Sequence, residues 1–470
     1  MKSYFLGIAG AGVSALASIL KSEGYEVSGS DEGVFAPIST YLDNLGIKYK
    51  TSFDRANVPP DIDVAIIGTT AKINPETNPE LQEIIARNIP HYTFAEYLGL
   101  HTKGRDNLVV AGSFGKSSLT ALVTHILRHS GRNPGWFVGA IAKDLPQTGF
   151  WGKDKEFIIE GDEYIVSVND KRSKFELYEA KNILLSSIVH DHVNMFPTME
   201  IYEDLFQRLI NKLPEGGKIF AANQYEPIHR LITKAQRNSD VILYGLDECS
   251  GFFAKNVEIG EFTTFDLVTP ARDKIHLTTS QLGMHNIENI VAASAYVLTE
   301  KLVSPEELQK AILAFNGVER RLDKKTSISS VPLYEGFGSS YEKARSAIEA
   351  IKLHFPSRKL FVVFEPHTFS WRNRASLFWY DHVFAGVNKV LMLPPPTHGA
   401  GNHDQLSHDE IIARTQNADI DVLGVDNSQD VINYLMNELD GSNEVVLLLS
   451  SGPLDSLPQS LPLLLDEEFS

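Results

Sequence analysis

The sequence predicts an α/β protein of three domains. Three observations carry that reading. The chain has 470 residues, room for about three domains of roughly 150 residues each. Strand-like and helix-like stretches alternate from the first residues, the pattern of a parallel sheet wound by helices. The alternation also restarts twice, after polar, turn-rich stretches at "HTKGRDN" (101–107) and "GVERRLDKKTS" (317–327). The expected domains are 1–105 (Rossmann-like), 106–322 (a central mononucleotide-binding parallel sheet with a phosphate loop) and 323–470 (Rossmann-like again).

In the first domain "YFLGIA", "YEVSGSD", "VAIIGTT" and "HYTF" read as strands. Between them "VSALASILKSEG", "ISTYLDNLG" and "PELQEIIARN" read as helices. The start resembles a secretory leader, with a lysine, an apolar run and small residues. It reads better as a buried strand, a glycine turn and a helix, because the helix runs on into polar "KSEGYEVSGSD". In the second domain "NLVVA", "EFIIEGDE", "NILLSSIV", "GGKIFAAN" and "DVILYG" are strands, and a β-rich insert is expected across 251–280. The helix "MHNIENIVAASAYVLTEK" follows. The third domain alternates through "KARSAIEAIKLHF", "KLFVVFEP", "VNKVLMLPPP" and "NEVVLLLSSG".

Bulk properties exclude several classes. The formal net charge is −17, which opposes binding to nucleic acid or to an anionic membrane. An anionic substrate therefore needs a local basic site. The single cysteine, Cys249, allows no internal disulfide and no thiolate cluster, as expected of a cytoplasmic protein. No stretch holds eighteen uninterrupted apolar residues, so no membrane span is expected.

The motifs sit where strands meet helices. "GIAGAG" (7–12) is a glycine turn between the first strand and first helix, and Asp31 ends the second strand. Such a turn lets backbone approach a pyrophosphate, and the acid can bond a ribose hydroxyl. The spacing G-x-x-G-x-G is not the dinucleotide order, which disfavours a nicotinamide enzyme; tight helix–strand packing is the plain alternative. "GSFGKSS" (112–118) lies between the strand "NLVVA" and a helix. It lacks the extra glycine of a Walker loop, whose place is taken by Val110. Its backbone N–H groups can still form an anion nest, with Lys116 as a point charge. Ser117 can ligate magnesium, and Ser118 can cap the helix or bond phosphate. A Ser/Gly helix cap is the simpler alternative, but it has no use for an ammonium.

Other candidates follow in order. "FIIEGDEY" delivers Glu160, Asp162 and Glu163 at a strand's C-terminal end, placed to meet a metal-bound phosphate. His190 and His192 follow the next apolar strand, and one of them can reach phosphate or metal. His285 and Asn289, four apart, share a helix face; an Asn amide there can read an adenine edge. Arg320 and Arg321 sit at the second boundary. His398, His403 and His408 recur every five residues in or beside a loop, a spacing that aligns them on neither a helix nor a strand.

As a set, "GIAGAG…GSD", "GSFGKSS", "EGDEY", "HDH", "HNIEN" and "GVERRLD" resemble the Mur ligase family, in order and over nearly the whole chain. Its phosphate loop is the short form G-x-x-G-K-[ST]-[ST]. "EGDEYIVSVNDKRSKF" resembles the branch that recycles a murein tripeptide, whereas "FEPHTFSWRNR" is more like the alanine-adding branch. The resemblance implies an ATP-dependent amide ligase using ATP and Mg2+. The lactyl carboxylate of UDP-N-acetylmuramate would become an acyl phosphate and be attacked by the amine of a tripeptide or of L-alanine. Gly112, Ser113, Phe114, Gly115, Lys116, Ser117 and Ser118 would hold the phosphates, with Lys116, Glu160, His192 and Arg321 in catalytic roles. Ser117, Glu160 and His192 would serve magnesium, while His285, Asn289 and Arg321 would also contact the nucleotide. Gly10, Ala11, Gly12, Asp31, Thr70 and Ala71 would take the UDP-sugar. The third domain departs from the family pattern. Where it has D-D-[FY]-[AG]-H-H-P, this chain has "EGFGSSY", with Gly336 at the second acid and Ser339 and Ser340 at the histidines. "SSGPLDSLPQSL" likewise replaces a glycine-rich turn. These departures raise a non-catalytic relative as an alternative.

Overall fold

The computed structural model describes residues 1–470 except 36–37, 71, 168–169, 191–194, 236–238 and 397–404. It is an α/β protein with three sheets. The chain forms two compact units. The first holds Met1–Val257, Thr264–Thr279 and Ile287–Gly317; the second holds Glu258–Thr263, Ser280–Asn286 and Val318–Ser470. Among the described residues no helix is long and apolar enough to cross a membrane.

The first sheet has five parallel strands in the order Lys48–Lys50, Glu26–Ser30, Lys2–Leu6, Val64–Ile67, His91–Thr93. The order reverses about Lys2–Leu6, so the crevice that such sheets use for ligands opens beside that strand's C-terminal end. The glycine turn follows it directly. The N-terminal apolar run is thus a buried strand and the helix Ala11–Ser22, as the polar continuation predicts.

The second sheet has ten strands. Its parallel centre runs Asp240–Gly245, Lys218–Ala222, Ala180–Leu185, Asp106–Ala111, Glu156–Glu160. Apart from Asp240–Gly245, which starts exposed, these strands are largely buried and read as apolar runs. The expected β-rich insert is three strands, Phe252–Glu258, Thr263–Val268 and Lys274–Thr279. The first two sheets share one unit because the helix Ala11–Ser22 packs on the short strand Gly149–Phe150. A Cβ at Gly149 would lie 2.3 Å from the Ala15 carbonyl oxygen, and Ser18 Oγ donates to the Gly149 carbonyl at 2.9 Å.

The second unit carries six strands in the order Arg321–Lys324, Leu333–Gly336, Glu444–Leu449, Lys359–Phe364, Lys389–Met392, Val422–Gly424. All but the first run parallel. Two apolar layers, one around Phe364 and Trp371 and one around Leu448 and Leu461, cover the two faces.

Candidate active site

The centre of the second sheet places the phosphate loop. Asp106–Ala111 ends in the loop, and the helix Lys116–His129 begins at its far side. Gly112 has φ 144° and Gly115 φ 80°, a left-handed backbone that glycine adopts without strain. Gly112 is also a close approach: a Cβ there would meet Ser186 Oγ at 2.3 Å. The next strand's end clamps the loop. Ser113 N donates to Ser187 O at 2.9 Å, Ser113 Oγ to Val189 O at 2.7 Å, and Phe114 N to Ser187 Oγ at 3.0 Å. No side chain caps the helix at Gly115 and no acid lies in its first turn, so its N-terminal N–H groups and dipole favour an anion.

Two polar pairs stand at this helix start. Lys116 Nζ donates to Gly112 O at 2.7 Å and to Glu163 Oε2 at 2.8 Å. Burial alone would pull this ammonium's pKa down; the Glu163 carboxylate outweighs it and holds the pKa above the ordinary lysine value. The lysine therefore stays charged. Ser117 Oγ donates to Glu160 Oε1 at 2.7 Å, and Gly139 N donates to Glu160 Oε2 at 2.6 Å. Asp162 instead pairs with Lys174 at 2.6 Å. The structure thus sorts three nearby acids into three tasks. Glu163 as the partner of Lys116 is a role that sequence spacing did not give, because alternation along a strand stops where the strand ends at Glu160.

The remaining candidates separate. His190 Nε2 bonds the Phe196 carbonyl at 2.6 Å. His192 lies outside the described residues, as do Ala71, His398 and His403. His408 bonds the Met392 carbonyl at 2.8 Å. Asn289 is buried on the helix Met284–Thr299, and its Oδ1 lies 3.2 Å from where a Cβ on Gly115 would stand. The helix thus brings Asn289 to the loop. His285 is exposed, beside Gly283, in the part of that helix assigned to the second unit. Ser118 is half-buried in the first turn of the helix Lys116–His129.

At the first sheet's edge Gly10, Ala11 and Thr70 are exposed and Gly12 is half-buried. Asp31 Oδ2 accepts from Ala9 N at 3.0 Å and Oδ1 from Glu32 N at 2.8 Å. The carboxylate therefore pins the glycine turn. Its partial burial raises its pKa above the ordinary carboxylate value, despite those two backbone donors.

In the second unit both boundary arginines lie over Phe337, with guanidinium carbons 5.0 Å (Arg320) and 4.9 Å (Arg321) from the ring centre. Arg320 also donates to Ser450 O at 3.1 Å and Gly452 O at 2.7 Å, and pairs with Glu335 at 3.1 Å. Glu335 takes a second cation, Lys325, at 3.3 Å. It is buried and paired with both cations. A Cβ at Gly336 would stand 2.8 Å from Leu449 Cδ2, an apolar surrounding that has no use for a carboxylate. Ser340 caps the helix Tyr341–His354, accepting from Lys343 N at 3.4 Å, and Ser339 O accepts from Thr368 Oγ1 at 3.0 Å.

Two family models match the chain: "Mur ligase family, catalytic domain" over residues 2–105 and "Mur ligase middle domain" over 110–297. Together they span more than half of it. The chain belongs to the Mur ligase family. It is accordingly an ATP-dependent ligase. The UDP-N-acetylmuramate–L-alanine ligase of Clostridium acetobutylicum is 27% identical over 455 residues, covering 96% of this chain and 95% of the relative. The UDP-N-acetylmuramate–L-alanyl-γ-D-glutamyl-meso-2,6-diaminoheptandioate ligase of Haemophilus influenzae is also 27% identical, over 74% of this chain and 76% of the relative. The crystal structure of the UDP-N-acetylmuramate–alanine ligase of Thermotoga maritima superposes with a TM-score of 0.78 at 19% identity, over 98% of this chain and 97% of that one. The two Mur ligase models cover both glycine loops and Asn289. The altered strand end at Gly336 lies beyond them.

The residues present suit a hard cation beside a phosphate. Ser117 Oγ and Glu160 Oε1 converge at 2.7 Å where the helix begins, and hydroxyl and carboxylate oxygens are what Mg2+ prefers. Among the described residues no cluster of three or more His, Cys, Asp or Glu forms a protein-only metal cage.

Proposed function

We propose that this Mur ligase joins the lactyl carboxylate of UDP-N-acetylmuramate to the free amine of a murein tripeptide. ATP is consumed and an acyl phosphate forms on the way. The observation that carries the reading is the paired geometry at one helix start: Lys116 with Glu163, and Ser117 with Glu160, around a loop of open N–H groups. Phosphoryl transfer depends mainly on positioning and charge neutralisation, and this constellation supplies both.

In this reading residues 1–105 take the UDP-sugar, 106–322 the ATP and 323–470 the amine. Gly112 to Ser118 wrap the phosphates. Lys116 neutralises charge on the β- and γ-phosphates, and Glu163 keeps it protonated. Ser117 and Glu160 hold Mg2+, with His192 serving a second ion. The ion supplies Lewis-acid neutralisation of the transferring phosphoryl group. Asn289 reads adenine, and His285 and Arg321 are assigned further nucleotide contacts. Gly10, Ala11, Gly12, Asp31, Thr70 and Ala71 form the sugar-nucleotide crevice. The transferring phosphoryl group leaves ADP for the carboxylate oxygen. The amine then forms the C–N bond as phosphate departs, and its proton is lost to solvent.

The tripeptide is favoured by the stretch from Glu160 to Phe175. There Asp162 binds Lys174 and Asp170 binds Arg172 at 2.6 Å, so the charged residues of the recycling-type motif hold one another in register. L-Alanine is a second reading, supported by "FEPHTFSWRNR" and by the alanine ligases that match almost end to end. Phosphate release separates the two. The protein is given UDP-N-acetylmuramate and Mg–ATP with either the tripeptide or L-alanine. Release with tripeptide alone is expected. Release with alanine alone reassigns the amine, and release with neither, while both nucleotides bind, makes the chain a non-catalytic relative.

A further inference from the structure

Two buried glutamates in the first unit are treated very differently. Glu80, fully buried, accepts from Tyr4 OH at 3.0 Å, Ser30 Oγ at 2.5 Å, Asp54 N at 3.0 Å and Asn57 Nδ2 at 2.8 Å. Both of its oxygens are satisfied by protein donors. Glu288 is 8% exposed, and Gln224 Nε2 donates to its Oε2 at 2.9 Å. Among the described residues its Oε1 is enclosed with no partner. A carboxyl oxygen left so costs stability unless something else uses it.

Its position says what that is. Glu288 precedes Asn289, the residue beside Gly115 of the phosphate loop. Gln224 and Tyr225 follow the strand Lys218–Ala222, at the same C-terminal sheet edge as the loop. Gln224, which bonds Glu288, is exposed, and Tyr225 is half-buried. We propose that Glu288, with Gln224, reads the edge of the purine whose phosphates the loop holds, and that Glu288 sets the preference between adenine and guanine. This rests on the ATP-ligase reading above and deepens it.

The chemistry is a matter of donors and acceptors. A protonated carboxyl offers one of each. It satisfies adenine's exocyclic amine and neighbouring ring nitrogen, and can equally satisfy guanine. An ionised carboxylate only accepts. It still suits guanine's two N–H donors, but it faces adenine's ring-nitrogen lone pair. Burial pushes the Glu288 pKa up from 4.5 to about 7, against the smaller lowering by the Gln224 bond, so both forms are accessible near neutrality. Among the described residues, the titratable groups facing it are Tyr225 and Tyr244. Burial raises both phenols, and Tyr244 OH donates to Leu185 O at 2.8 Å. Both stay neutral over this range.

The test is calorimetric titration of the full chain with Mg–ADP and Mg–GDP from pH 6 to pH 8.5, for the wild type and for Glu288→Gln. The comparison at each pH cancels the titration of the phosphates themselves. Relative to the variant, wild-type affinity for ADP is expected to fall about tenfold across the range, as one unsatisfied base contact would cause, while GDP affinity holds or rises. Parallel pH profiles for the two proteins would overturn the inference, including the case in which Glu288→Gln changes only the unfolding midpoint. Failure of ADP to bind either protein would instead overturn the ATP-ligase reading.

Discussion

The C-terminal edge of the central sheet and that of the last sheet are built from similar parts to different ends. In the first, Glu163 and Glu160 hold a lysine and a serine at an uncapped helix start, by bonds that an incoming phosphate or cation can replace. In the second, Glu335 is closed between Arg320 and Lys325, and Arg320 is further fixed by the Ser450 and Gly452 carbonyls. The same residue types thus make a receptive edge in one place and a structural lock in the other. The difference is the kind of partner, an uncapped helix start with open N–H groups in one case and two enclosing cations in the other, which composition does not reveal. It also locates the departure from the family pattern: at the position of the second acid this chain has Gly336 against Leu449, and the adjacent Glu335 is already paired.

The largest expected effect attacks the receptive edge. Lys116→Ala removes the charge aimed at the phosphates and should cut kcat by at least 10²–10³-fold, the loss typical of one preorganised electrostatic contact. Steady-state phosphate release measures it, with the unfolding midpoint as a control. Glu335→Ala attacks the lock. It strands two cations around a buried site and should cost about 3 kcal/mol, read by chemical denaturation, while Mg–ADP affinity stays within about twofold. An equal loss of nucleotide affinity would show that the two edges are not separable in function.

Two smaller changes sharpen the contrast. Glu288→Gln should become more stable relative to wild type as pH rises. The folded pKa of Glu288 is raised, so the wild type has no penalty below the unfolded value near 4.5, acquires it as pH climbs towards about 7, and keeps it above. The difference approaches about 3 kcal/mol, seen in denaturation at pH 5 against pH 8. Gly336→Asp, which restores the acid of the family pattern, should cost about 1–3 kcal/mol by crowding Leu449 and should not raise kcat. A gain in activity would mean that the edge of the last sheet remains a working nucleotide contact.

The sequence was most readable where a single period governs. The strands Lys2–Leu6, Asp106–Ala111 and Asp240–Gly245 are uninterrupted apolar or alternating runs between turn signals, and the phosphate loop falls where strand meets helix. Short elements escaped. The strand Lys48–Lys50 is exposed at the sheet's edge, and the helix His408–Asn417 follows a Pro/Gly-rich loop that hides its start. In the site, the placement of Lys116 and Ser117 was legible because one motif fixes them at a strand–helix joint, and that of Glu160 because a second motif ends a strand there. Glu163, Glu288 and Glu335 were not. Their roles depend on which partner arrives from 47, 64 and 15 or 10 residues away, respectively, and no local period encodes that.

Hydroxylamine trapping tests the central claim most directly, because it needs no knowledge of the natural amine. The protein is incubated with UDP-N-acetylmuramate, Mg–ATP and hydroxylamine, and the products are resolved by mass. A working phosphate edge predicts ADP release and one equivalent of UDP-N-acetylmuramoyl hydroxamate per ADP, with neither formed by Lys116→Ala. Nucleotide binding without hydroxamate would contradict it.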